Sequence, residues 1–85
     1  MMARSEVLAF AEIMERKLLK HDDRGGWQDC SLLCLLLRLR EKDRDLVRAI
    51  EHGSPDDIAA EAADVANLAM MMADVVGALD VRRVR

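Results

Sequence analysis

Apolar residues recur along this chain every three or four positions, over three stretches separated by two polar breaks. That period is helical, and no stretch alternates in the manner of a strand. The first stretch runs from about Arg4 to Lys20, with Val7, Phe10, Ala11, Met14 and Leu18 forming a stripe. Glu6, Glu12, Glu15, Arg16 and Lys17 cover its other side. The second runs from about Cys30 to Glu51, on the stripe Leu32, Leu35, Leu36, Leu39, Leu46, Ala49, Ile50. The third continues from Pro55 to about Val81, interrupted only by Gly77.

The breaks carry their own signals. His21-Asp22-Asp23-Arg24-Gly25-Gly26-Trp27-Gln28 is polar with adjacent glycines, and Asp29 or Ser31 can cap the helix that follows. His52-Gly53-Ser54-Pro55 is sharper. Gly stops one helix, Ser caps the next, Pro takes its first position, and Asp56 and Asp57 sit at the positive end of its dipole. The expected fold is therefore all-α, a single three-helix domain over residues 1–85.

The second and third stretches are apolar around much of their circumference. Leu33 and Leu37 lie far from the Leu32–Leu39 stripe, and Met70 to Met72 point to several faces of the third helix. A helix of that kind belongs inside an assembly, and 85 residues cannot cover two of them. The pattern predicts a homo-oligomer with a core of the four-helix-bundle type.

Composition narrows the class. The chain is 52% apolar with 2% aromatic residues, so its apolar content is aliphatic and favours helix. Its strongest apolar run, Leu32 to Leu37, is far short of the roughly 20 residues that span a bilayer. The start of the sequence lacks the apolar stretch of a signal peptide, so the cytoplasm is the expected compartment. A net charge of −3 argues against dedicated nucleic-acid binding. Cys30 and Cys34, one helical turn apart, read as reduced, small apolar residues.

Candidate chemistry lies where charge interrupts the stripes. After Leu39 the second helix calls for an apolar residue but holds Lys42 and Asp43, with Glu41 and Asp45 close by. Unpartnered buried charge costs several kcal/mol, so this interruption marks a paired site or a solvent-reachable cleft. The third helix has no Lys or Arg between Glu51 and Asp80. On it Glu61 and Asp64 share a face that continues through Asn67 to Leu68, Met71 and Val75. Paired carboxylates a turn apart suit Mg²⁺ or Mn²⁺, and equally a salt bridge to the arginines of the second helix.

The segment Glu61-Ala-Ala-Asp64-Val-Ala-Asn67, continuing to Asp74, resembles the third helix of MazG-like proteins, which are all-α nucleoside triphosphate pyrophosphatases. Arg24-Gly-Gly-Trp27, with Leu36 to Leu46, resembles their preceding loop and second helix. The resemblance implies a helical homodimer or homotetramer that hydrolyses a nucleoside triphosphate to monophosphate and pyrophosphate with Mg²⁺. In that family two acidic pairs on successive helices hold the metal. Carried over, Glu61 and Asp64 form the second pair and Asp45 is the second acid of the first. The remaining position is Lys42, a departure from the family pattern. Three outcomes are open: Glu41 takes over, Lys42 meets a phosphate directly, or Lys42 neutralises a degenerate site. Trp27 is placed to stack on a base or to cap the bundle, Asn67 to read a base or sugar or to close a polar pair between helices, and Arg24 to meet the substrate. The alternative function is a catalytically degenerate nucleotide-sensing or interaction module.

Overall fold

The computed structural model describes residues 2–81. It is helical throughout: α1 spans Ser5–Leu19, a single 3-10 turn spans Asp22–Arg24, α2 spans Leu32–His52 and α3 spans Pro55–Val75. Among the described residues there is no strand.

The helix starts follow from side-chain caps. Ser31 accepts the Cys34 N–H at 3.1 Å and opens α2. At α3 the capping is reciprocal. Ser54 Oγ accepts from the Asp57 N–H and Asp57 Oδ2 accepts from the Ser54 N–H, satisfying two otherwise orphaned donors. Gly53 is needed here for space. A Cβ at this position would lie 2.8 Å from the Ala49 carbonyl oxygen and 2.9 Å from Asp57 Cβ.

The third helix is shorter than the periodicity predicts, ending at Val75 and not near Val81. Gly77 adopts φ +76°, and the chain closes in a Schellman arrangement. The Ala78 N–H reaches the Ala73 carbonyl at 3.0 Å and the Gly77 N–H reaches Asp74 at 2.9 Å. Apolar residues past the stop, Leu79 and Val81, therefore belong to no helix. The basic ending from Arg82 to Arg85 lies outside the described residues.

α3 is the central element, packed by α1 on one side and α2 on the other. It is suited to this because Ala59, Ala60, Ala62, Ala63, Ala66 and Ala73, none of them exposed, let two neighbours approach closely. Ala63 and Leu68 are buried on it, and Leu35 and Ala49 are the buried residues of α2. The apolar circumference of α2 predicts a place inside an assembly, but within one chain its main packing partner is α3 and it lies at the edge. A radius of gyration of 13.7 Å exceeds the roughly 12 Å of a compact chain this long. The helices make an open layer with few enclosed side chains.

Candidate functional site

The polar connection from α1 to α2 folds back over one end of α3. Trp27, half-buried, donates its Nε1–H to Asp74 Oδ2 at 2.9 Å, tying the connection to the last turns of α3. Between this flap and the helices is a cleft of about 380 Å³, within the usual range for small-molecule sites. Lys17 and Leu18 of α1 and Arg38 and Lys42 of α2 line it. Asp64, Asn67, Leu68 and Met71 of α3 form its floor, and the flap contributes His21, Asp22, Arg24 and Trp27.

Of the predicted α3 face, the part from Asp64 to Asn67 turns toward the inside of the molecule. Asn67 is only 4% exposed, and its Nδ2 donates to the Met14 carbonyl at 3.0 Å. A carbonyl can only accept, so this bond fixes the amide's orientation and aims Oδ1 elsewhere. Oδ1 is buried with no hydrogen-bond partner. A buried acceptor left unmatched costs about 1–3 kcal/mol, which a ligand donor would recover.

Asp64 lies between two ammonium groups. Lys17 Nζ is 3.3 Å from Oδ2 and Lys42 Nζ is 3.9 Å from the same oxygen. Lys42 also reaches Asp45 at 3.7 Å, and Arg48 approaches Asp45 at 3.9 Å. Lys42 thus joins an acid of α2 to an acid of α3. The Lys17–Asp64 contact is the more shielded, at 19% and 16% side-chain exposure. Assigning Lys17 to the solvent side of α1 is corrected: with Phe10, Ile13, Met14 and Leu18 it forms the less exposed face, while Val7 and Ala11 are exposed.

Glu61 lies on a different surface. With Asp45, Arg48, His52 and Asp57 it lines a shallower hollow of about 310 Å³ near the α2–α3 turn. Its Oε2 is buried without a hydrogen bond. Glu41 is exposed and lines neither cavity. The four acids assigned to a metal are therefore divided: Asp64 in the first cleft, Asp45 and Glu61 in the second, Glu41 on the outside. Among the described residues no three His, Cys, Asp or Glu side chains converge as a metal-holding group. In this arrangement ammonium groups already supply the positive charge that Mg²⁺ would bring to Asp64 and Asp45.

The residues expected on the substrate side are brought together. Trp27, Arg24, Lys42 and Asn67 all line the first cleft. Lys17 and Arg38 join them without having been singled out. Arg38 was assigned only as a partner for the acids of α3, and Lys17 was hidden by the averaged pattern of α1. Cys34 is exposed and Cys30 half-buried, and both are free. No helix of the described residues is long and apolar enough to cross a membrane.

Comparison with protein families, curated proteins and solved structures finds no match for this chain. The functional reading therefore rests on the residues and their geometry.

Proposed function

We propose that this protein is a nucleotide-binding helical module of MazG-like type, in which lysine and arginine side chains meet the phosphates. It corresponds to the catalytically degenerate form of the pyrophosphohydrolase site and works as a homo-oligomer. The carrying observation is the local reversal of charge. The chain has a net charge of −3, yet its main cleft sets Lys17, Arg24, Arg38 and Lys42 against only Asp22 and Asp64. Cations focused in a cleft concentrate an anionic ligand against the field of the rest of the protein. Trp27 offers a flat apolar surface for a base, and a small shift of Asn67 on the cleft floor would present its unmatched Oδ1 to an N–H or O–H donor. A phosphate chain, a ring and a hydrogen-bond donor in one molecule describe a nucleotide. The oligomeric part of the proposal rests on the large apolar residues left exposed on α2.

Calorimetric titration with nucleoside triphosphates, in EDTA and in Mg²⁺, tests this reading. Binding is expected in EDTA, with Lys42→Ala weakening it about tenfold, as for loss of one charge-assisted contact of roughly 1.4 kcal/mol. Binding that requires Mg²⁺, or none at millimolar nucleotide, would overturn it.

A second reading, Mg²⁺-dependent hydrolysis to monophosphate and pyrophosphate, is favoured by one observation. Glu61 Oε2 is a shielded carboxylate oxygen with no donor, the environment a cation relieves. Pyrophosphate release by the wild type, abolished in Glu61→Ala, would establish hydrolysis in place of the degenerate site. Release only after Lys42→Glu would mark Lys42 as the residue that silences the site.

A further inference from the structure

The face of α2 turned away from α3 has a regularity that the monomer does not use. Leu33, Leu36, Arg40, Asp43, Val47 and Ile50 are all exposed, and they are spaced three, four, three, four and three apart. That is the a/d spacing of a coiled-coil seam over nearly three heptads, roughly 26 Å of helix at 1.5 Å per residue. Leu33 and Ile50, at the two ends, are 66% and 62% exposed. Arg40 and Asp43 stand at the middle of the seam and form no ion pair within the chain among the described residues.

Its order of residues is self-complementary. Laid antiparallel on a second copy about a two-fold axis between residues 41 and 42, each a position meets a d position. Leu33 then faces Ile50, Leu36 faces Val47, and Arg40 faces Asp43, each pair occurring twice. A parallel pairing would place Arg40 against Arg40 and Asp43 against Asp43. An antiparallel pairing shifted by one heptad would set Arg40 or Asp43 against an apolar residue, leaving charge desolvated without a partner. One orientation and one register satisfy both the apolar ends and the charged centre.

We propose that α2 is the homodimer interface, an antiparallel two-helix seam locked in register by reciprocal Arg40–Asp43 pairs. This rests on the oligomeric part of the proposed function and is independent of the nucleotide reading. The occupant is a second copy of this chain, because the complement of the seam's charge pattern is the seam itself. The central pairs contribute chiefly orientation and register, and the four apolar layers supply most of the affinity.

Sedimentation equilibrium of the full chain, under reducing conditions because both cysteines are free, provides the test. Wild type is expected at a multiple of 9.6 kDa, while R40D and D43R each dissociate, their dimer constants weakened about 100-fold by like charges at the centre. Circular dichroism should show unchanged helix content, since both positions are exposed. Mixed in equal amounts, the two variants should reassociate, because each Asp then faces an Arg. A monomeric wild type would overturn both the oligomeric reading and the seam. An associated wild type whose R40D variant stays associated, or two dissociated variants that do not recover on mixing, would overturn the seam alone.

Discussion

α2 and α3 have the same length, 21 residues each, and both are rich in aliphatic side chains. Yet α3 is at least half-buried along nearly its whole length, while α2 leaves Leu32, Leu33, Leu36, Leu37, Val47 and Ile50 exposed. The difference lies in side-chain size more than in hydrophobicity. Alanines on several faces of α3 admit a helix on either side at close range, so one short chain can bury it. The leucines of α2 need a broad partner surface, and a single neighbour covers only the side carrying Leu35 and Ala49. An aliphatic helix therefore becomes central when it is thin and an interface when it is bulky.

The strongest way to break this comparison is truncation on the two sides of α2. Leu35 is fully buried, and Leu35→Ala should cost about 2–5 kcal/mol through lost transfer energy and the cavity left behind. On a domain whose total stability is of the order of 5 kcal/mol, that leaves much of the population unfolded. Leu33→Ala, measured in the dissociated R40D background, should change stability by less than about 0.5 kcal/mol. Urea unfolding monitored by helical ellipticity reads both. Equal costs would mean that α2 has no inner and outer side.

Thinness is tested by adding bulk. Ala63 is fully enclosed on α3, so Ala63→Leu should destabilise by about 1–3 kcal/mol through overpacking. The same enlargement at Ala9, exposed on α1, should be nearly neutral. Thermal unfolding separates them, with a shift of about 4–8 °C per kcal/mol for a domain of this size. A tolerated Ala63→Leu would remove the argument that small residues make α3 central.

The flap is the next smaller effect. Trp27→Phe keeps an aromatic ring but loses the donor to Asp74, a bond to a carboxylate at the half-exposed end of α3. Its loss should cost about 1 kcal/mol, less than for a buried charged bond. In the nucleotide reading, the affinity for triphosphate should fall with the loosened flap although stacking is retained. Unchanged stability would show that the flap is held by packing alone.

How much of this was legible in the sequence depended on the range of the interactions involved. The starts of α2 and α3 were readable because Ser31 and the Ser54–Asp57 pair act within one turn. The shared cleft position of Asp64 and Asn67 was readable because three-residue spacing places them on one side of a helix. The end of α3 was missed although Gly77 was in view, since apolar residues beyond it extend the pattern while the stop depends on backbone conformation. Lys17 was misplaced because periodicity assigns a charged residue to solvent, and only tertiary packing brings Asp64 to meet it. Lys42 was recognisable as an interruption of its stripe, but its two carboxylate partners lie on different helices. The separation of Glu61 from Asp64 into different hollows was not readable at all, for it depends on how α2 crosses α3.

The finest test compares the helix starts. Ser31 caps α2 with one bond, from an exposed site beside the loop, while Ser54 belongs to a reciprocal box with Pro55 behind it. Ser54→Ala removes an acceptor and loosens the Asp57 side chain that accepts in return, so it should cost about 1 kcal/mol. Ser31→Ala should cost about half as much, because the first turn of an edge helix can fray without unpacking the centre. Native-state hydrogen exchange distinguishes them. Ser54→Ala should speed exchange at Asp57 and along the α2–α3 turn, and Ser31→Ala only at Cys34 and its neighbours. If Ser31→Ala instead accelerated exchange throughout α3, the beginning of α2 would be part of the central unit, and the division between an enclosed helix and an edge helix would fail at that end.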